Sequence, residues 1–308
     1  MDIVLGICKV TLEEGFMYAI MALGVYITYS ILDFPDLSVD GTMPLGAVVS
    51  GVLILKGVNP WLCLVISFFA GAAAGCITGF LHVKLKIRPL LCGILVYTML
   101  LSVNLVVLFH GTDGLSIASF FGKKSIFDSF PASLIPRDIG GYSVRVLLVS
   151  FVLMLLCKFA MDAFLKTKSG LLLRATGNNE KYVTMLARDP GFSKIIGLAI
   201  GNGLAAVAGS AIAQSKYSAD TQMGVGMVVQ GLASVIIGLS LFKKMSFLKA
   251  TTMVIFGSII YKACLSAALA LGLPTLYLKL LMAVIFILAL VLSGAFDKKG
   301  RGAVRGKA

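Results

Sequence analysis

Residues 32–41 read LDFPDLSVDG and place Asp33, Asp36 and Asp40 within eight positions, between two strongly apolar stretches. Carboxylates in such a place are costly unless they pair, face water, serve as ion- or proton-coupling sites, or cap a helix N-terminus, where the dipole favours negative charge. Pro35 breaks the helix before it, and Asp40 or Thr42 can cap the helix that follows. Two readings therefore stand side by side: capping at a broken span, and a break whose Asp36, Ser38 and Asp40 line a pathway. Gln230, in the short Gly-rich run VVQGLA, is a further pathway candidate. Asn104, Asn202, Gln214 and Lys262 are also embedded in apolar sequence, and each suits a hydrogen bond between helices.

Other chemistry is missing from the sequence. No GxxxxGK[ST] loop is present, so nucleotide binding of that kind is not expected of this chain. GxSxG and HExxH are likewise absent, and the only histidines, His82 and His110, are too far apart for an evident triad or a histidine metal cluster. No catalytic residue, metal site or enzymatic activity is predicted. The cysteines at 8, 63, 76, 92, 157 and 264 form no CxxC pair and read as small apolar fillers. Leu5-Gly6-Ile7-Cys8 has the shape of a lipoprotein box but lacks a basic region and a long apolar stretch before the cysteine.

The elements that must position these residues follow from composition. Of 308 residues, 58% are apolar and 13% charged, and the mean hydropathy is +0.98, far from the balance of soluble domains. Nearly charge-free windows recur, each long enough as a helix to cross the hydrocarbon of a bilayer. Nine spans are predicted, at about 14–32, 42–56, 60–81, 89–109, 144–165, 193–214, 225–241, 249–270 and 274–294. The class is all-α, a polytopic transmembrane bundle of about 8–10 spans, some of them broken or re-entrant. A β-barrel is excluded because its strands would alternate polar and apolar residues. The net charge of +13 is a topology signal: Lys84, Lys86, Arg88, Lys166, Lys168, Arg174, Arg188, Lys243, Lys244 and the basic tail at 296–308 fall together if the C-terminus is cytoplasmic. Nine spans then leave the N-terminus outside.

Two polar stretches interrupt the spans. Residues 110–142, outside, mix Phe120, Phe121, Phe127 and Phe130 with charges, as a connector, an interfacial segment or a docking surface would. Residues 166–192, inside, contain a helical stretch over 179–187 with Asn179 as its cap and Asp189-Pro190-Gly191 as its stop. Gly71, Gly75 and Gly79 in the third span, and Gly197, Gly201, Ala205 and Gly209 in the sixth, are stripes for close helix approach. The two spans resemble each other, a hint of duplicated halves.

Ser169-Gly-Leu-Leu-Leu-Arg-Ala-Thr-Gly-Asn-Asn-Glu180, then Gly191-Phe-Ser-Lys194 and Gly203-Leu-Ala-Ala-Val-Ala-Gly209, resembles the cytoplasmic loop and next helix of ABC importer permeases of the branched-chain amino acid and ribose type. Asp36 to Gly41 with Leu45-Gly46-Ala47 is similar to the permeases of tryptophan/tyrosine-type systems. The resemblance implies a type II importer fold in a bacterial inner or plasma membrane, and a second permease copy, as a homodimer. It also implies an extracytoplasmic solute-binding protein and a separate ATPase that binds the ATP, so that this chain carries no cofactor. Residues 178–188 would be the coupling helix, with Arg174, Gly177, Asn178, Asn179, Glu180, Met185 and Arg188 at the ATPase. The solute would be an amino acid, aromatic or otherwise, or a related small molecule. The alternative is an ion- or proton-coupled secondary transporter, for which Asp36 and Asp40 are the coupling candidates.

Overall fold

The computed structural model describes residues 2–305 apart from 113, 131, 133–137, 140–141, 186–188, 244 and 246. Side chains are described for the same residues except 2–5, 138–139, 142–143, 275 and 292–305. Arg188, Pro131, Pro136 and Lys244 therefore lie outside the described residues, as do the side chains of the basic tail.

Among the described residues seven helices are long and apolar enough to cross a membrane, and two shorter apolar helices, Val39–Leu55 and Leu278–Val291, accompany them. In order these are α1 (Asp2–Val25, extended by a π turn over Tyr26–Ile31), α2 (Val39–Leu55), α3 (Pro60–Val83) and α4 (Pro89–Gly111). They continue with α5 (Arg145–Lys166), α8 (Pro190–Lys216), α9 (Met227–Leu241), α10 (Ala250–Ala270) and α11 (Leu278–Arg305). Between α5 and α8 stand two surface helices, α6 (Lys168–Asn178) and α7 (Glu180–Met185). The nine predicted spans correspond one for one to these helices, with ends displaced; α1 begins well before residue 14, with Glu13 paired to Lys9 of the same helix and Glu14 to Lys262 of α10.

Local chemistry sets several helix starts. Asn59 accepts from the Trp61 amide at 3.0 Å, and Pro60 occupies the first turn of α3, where a missing N–H costs nothing. Asp189 accepts from the Gly191 amide at 2.8 Å with Pro190 behind it. The predicted stop at Asp189-Pro190-Gly191 is thus also the cap of α8, since proline is as well suited to the first turn of a helix as it is unsuited to its interior.

α8 is the central helix, buried over most of its length from Gly197 to Gln214. In lipid, helices gain little from hiding apolar surface, so close packing and hydrogen bonds must hold them together. Here both small-residue stripes do this, on different faces of α8: the α3 glycines pack on α8, whereas Gly201 and Gly209 of α8 lie against Gly24 and Thr28 at the end of α1 and Met43 of α2. A Cβ on Gly71 would lie 2.5 Å from the Asn202 carbonyl, on Gly75 2.3 Å from that of Leu198, and on Gly79 2.9 Å from Ile195 Cα. α2 and α1 press on α8 equally closely: a Cβ on Gly46 would lie 2.0 Å from the Ala206 carbonyl and one on Gly24 2.3 Å from that of Gly201. Large apolar side chains such as Leu91, Met99, Phe109, Leu156 and Ile287 instead point outward from α4, α5 and α11, as lipid-facing surfaces do.

The segment at 110–142 is folded onto the ends of the spans. β1 (Ile117–Ser119) pairs antiparallel with β4 (Ser218–Asp220), directly after α8. β2 (Asp138–Ile139) pairs with β3 (Tyr142–Ser143). Phe120, Ile126 and Phe127 are buried beneath it, Trp61 Nε1 donates to the Phe130 carbonyl at 3.0 Å, and the Ile126 amide donates to Gln214 Oε1 at 2.9 Å.

Gly75→Leu is expected to cost at least about 1–3 kcal/mol by overpacking the α3–α8 crossing, read as a lowered melting temperature and folded yield in detergent. Gly6→Ala, which meets nothing within 4 Å, is the matched control and is expected to be neutral or mildly stabilising.

Candidate functional site

The break between α1 and α2 is the centre of a buried polar network. The π turn over Tyr26–Ile31 ends α1 through amide bonds that reach further back than in an α-helix, Leu32 to Ile27 and Phe34 to Thr28. Asp33 then turns the chain with φ 53. Asp36 is buried; its Oδ1 accepts from the Ser38 amide at 2.9 Å and its Oδ2 from Asn202 Nδ2 at 2.7 Å. Asn202 also donates to the Leu198 carbonyl at 3.0 Å. Its Oδ1 accepts from Ser38 Oγ at 3.0 Å and Thr42 Oγ1 at 2.9 Å. Every hydrogen-bonding position of that amide is used. Thr78 extends the network from α3 by donating to Ser38 Oγ at 3.4 Å.

Asp40 does cap a helix, but neither it nor Thr42 caps α2 as predicted. The carboxylate crosses the bundle and accepts from the Gly226 and Val228 amides at 3.1 and 2.7 Å, closing the N-terminus of α9. Gly226, with φ 88, carries no side chain to cap α9 itself. Thr42 Oγ1 faces the Val39 carbonyl and Asn202 instead. Pro44 within α2 supplies no amide to the Asp40 carbonyl, and Gly224 lies against that carbonyl so closely that a Cβ there would be 2.1 Å away. Asn104 Nδ2 donates to the Gly41 carbonyl at 3.0 Å. Asp36, Ser38 and Asp40 are thus brought together around one junction of α2, α8 and α9.

Gln230 is separate from this network. It is fully buried, and neither its Nε2 nor its Oε1 has a partner. Gln214, by contrast, holds Ser50 Oγ at 3.1 Å besides the Ile126 amide. Sequence reasoning marked both as polar residues at span depth; which of them would find partners depends on helix rotation.

At the end of the bundle where the π turn lies, the helix predicted over 179–187 corresponds to α7 among the described residues, and a second helix, α6, precedes it. α6 covers Lys168–Asn178, a stretch read from sequence as loop, and Thr167 Oγ1 caps it by accepting from the Gly170 amide at 3.2 Å. α7 is confined to Glu180–Met185 among the described residues, with Asn179 Oδ1 accepting from the Tyr182 amide at 3.2 Å as its cap. Arg174, Asn178, Asn179 and Glu180 are on the surface. Gly177 is pressed on the end of the π turn: a Cβ there would lie 1.7 Å from the Ile31 carbonyl. Val183 is buried, Glu180 Oε2 meets Lys194 Nζ at 2.8 Å, and Tyr182 and Met185 stand exposed, Met185 by 82%. Asp33, Tyr26, Arg174 and Asn178 line a polar cleft of about 600 Å³ between α6 and the π turn. The signal that sequence reading missed here was the Thr167-x-x-Gly170 start of α6.

Asn202→Leu removes the donor that Asp36 Oδ2 and the acceptor that Ser38 and Thr42 depend on. A loss on the order of 3 kcal/mol is expected from the stranded buried groups, measured as lowered thermal stability with unaltered helix content. Asp40→Ala is expected to lose about 1–2 kcal/mol at the α9 cap and Asp40→Asn less than that; equal stability for Asp40→Ala and wild type would mean that the cap carries nothing.

The comparisons agree with this architecture. Residues 11–290 match the family described as branched-chain amino acid transport system / permease component. The tyrosine transport system permease protein of Clostridioides difficile (strain R20291) is 41% identical over 282 residues, covering 92% of this chain and 89% of that protein. The uncharacterized protein RP368 of Rickettsia prowazekii (strain Madrid E) is 31% identical over 291 residues, covering 93% and 97%. The ribose import permease protein RbsC of Haemophilus influenzae is 24% identical over 227 residues, covering 74% and 67%. No solved structure matches. The chain belongs to the branched-chain amino acid transport system permease family, the membrane components of ABC transport systems for amino acids or sugars.

Proposed function

We propose that this chain forms the solute pathway of an ATP-driven amino acid importer, with an aromatic amino acid as its solute, and that α6 and α7 couple it to a separate ATPase. The observation that carries the coupling is the posture of α7. Val183 and the Glu180–Lys194 pair hold it against the bundle while Tyr182 and Met185 face away from it, as apolar anchors for a partner's groove do. Arg174, Gly177, Asn178, Asn179 and Glu180 form the edge of the same surface, and ATP belongs to the partner. Gly177 against Ile31 would carry a displacement of α6 directly into the π turn and so into α1 and α8, as a rigid-body switch requires.

Orientation is supported by charge. Val83, which precedes Lys84, Lys86 and Arg88, packs on Gly191 at the start of α8, and Lys249 bonds Asp162 near the end of α5 at 2.9 Å. The basic residues therefore gather at the α6–α7 end, which we assign to the cytoplasm together with the C-terminus. The opposite end, where Lys123, Lys124 and Phe130 border an open cleft of about 750 Å³, would receive an extracytoplasmic solute-binding protein. A second copy would complete the pathway. The amino acid reading is supported by the 41% identical relative, whose name specifies tyrosine.

The test is co-purification with the ATPase encoded beside it, and tyrosine uptake by the reconstituted complex. Met185→Asp is expected to weaken ATPase binding by about 2 kcal/mol, roughly 30-fold, with folded yield unchanged. Glu180→Ala is expected to leave ATP hydrolysis running without proportionate uptake. Uptake by the chain alone under a proton or sodium gradient would overturn the reading.

A further inference from the structure

Buried polar atoms without a partner are rare in folded proteins, and inside hydrocarbon there is no water to take them up. Among the described residues five side-chain atoms are in that position, and three of them belong to two residues: Nε2 and Oε1 of Gln230 and the hydroxyl of Tyr261. Both residues are fully buried. Each also stands near the middle of its span, Gln230 within Thr221–Leu241 and Tyr261 within Ala250–Ala270.

Two glycine contacts set the register between α9 and α10. A Cβ on Gly238 would lie 2.2 Å from the Met253 carbonyl, and one on Gly257 would lie 2.0 Å from that of Ser234. The two helices therefore run antiparallel. One further turn back along α9 and forward along α10 brings Gln230 level with Tyr261. Two polar side chains thus share one layer of one helix crossing without bonding to each other.

This crossing is suited to sliding. α9 meets α10 through Gly238 and Gly257, and it meets α1 through Gly231, whose Cβ would lie 2.7 Å from Val25 Cγ2. Backbone against backbone offers few interlocked side chains to resist a shear. The helices on either side of the crossing are fastened elsewhere. α10 is tied to α1 by Lys262 and Glu14 at 2.6 Å and by Ser258 Oγ, which donates to the Gly15 carbonyl at 3.2 Å. α9 is tied to α2 by the Asp40 carboxylate on the Gly226 and Val228 amides. A displacement that enters α1 at the π turn carries α10 with it and finds its slip plane against α9.

We infer that Gln230 and Tyr261 are positioning residues for the transport cycle, apart in this state and joined in the alternate one. There α10 shears along α9 until the Tyr261 hydroxyl donates to Gln230 Oε1. The bond satisfies two of the three stranded atoms, so the alternate state gains an interaction that this one lacks. A group satisfied in only one of two states shifts the equilibrium toward that state by its differential free energy, here roughly fivefold for one net hydrogen bond. This inference rests on the ATP-driven reading above and names two residues that act on its conformational step.

The experiment uses the permease with its ATPase, read as melting temperature in detergent and as ATP-driven tyrosine uptake in proteoliposomes. Tyr261→Phe and Gln230→Met remove groups that have no partner in this state, so each variant should keep or raise the melting temperature. Each should nonetheless lower uptake about fivefold, and the double variant should lose no more than either single one, because the bond is already gone. A residue that merely held the fold would lower stability and uptake together. A lowered melting temperature in Tyr261→Phe overturns the inference, since its hydroxyl would then have a partner in this state. Full uptake in either single variant overturns it as well, and so does a double variant whose loss is the product of the two single losses. Should Gln230→Met fail to fold, Tyr261→Phe, which deletes a single oxygen, decides on its own: preserved stability with reduced uptake supports the pair. Tyrosine uptake that is absent from the wild-type complex or independent of ATP strikes the transport reading itself, which is a different failure.

Discussion

Backbone that leaves helical geometry inside a bilayer has no water to turn to, so its polar groups must be satisfied by the protein. In this chain the side chain of Asn202 meets that demand. It stands on the central helix α8 and uses all of its hydrogen-bonding capacity, two donors on Asp36 Oδ2 and the Leu198 carbonyl and one oxygen shared by Ser38 and Thr42. Asp36 in turn fixes the Ser38 amide. The junction where α1 ends and α2 begins can therefore sit in the core of the bundle instead of at its surface. Asp40 performs the same service one turn later for α9, which has a glycine where a capping side chain would stand.

The surrounding packing serves this arrangement. Polar side chains as short as those of Ser38, Thr42 and Asn202 can meet only if the backbones that carry them approach closely. The glycines at 46, 71, 75 and 201 make that approach possible, each at a point where a Cβ would collide with a neighbouring helix or, for Gly201, with Thr28 and Gly24. Close packing and hydrogen bonding replace the hydrophobic drive that water would otherwise supply. The outward faces of α4, α5 and α11, with their long apolar side chains, have no such demand on them.

The same framework links the two ends of the molecule. α6 touches the π turn through Gly177 and Ile31, the π turn touches α8, and α8 continues through Gln214 to the folded segment that carries Ile126 and β1. A π turn is a natural place for such a link, since its extra residue is held by longer-range amide bonds and marks a helix under local strain. A displacement at one end of this chain of contacts has a short and densely packed route to the other.

Much of this was legible before any coordinates. Composition and charge-free windows determined a helical membrane bundle and the position of every span, because the thickness of the hydrocarbon dictates helix length. The stripes at Gly71-Gly75-Gly79 and Gly197-Gly201 announced close approach, and the segment from Ser169 to Glu180 announced the family. The partners could not be read. That Asp40 caps α9 and not its own helix, that Asn202 gathers Asp36, Ser38 and Thr42, and that Glu14 meets Lys262 all depend on contacts across more than 150 positions. Periodicity along one helix says which face is special but not what lies opposite. Even the extent of α6 was hidden, because a short polar helix is held by its anchors Leu173 and Thr176 rather than by its own propensity.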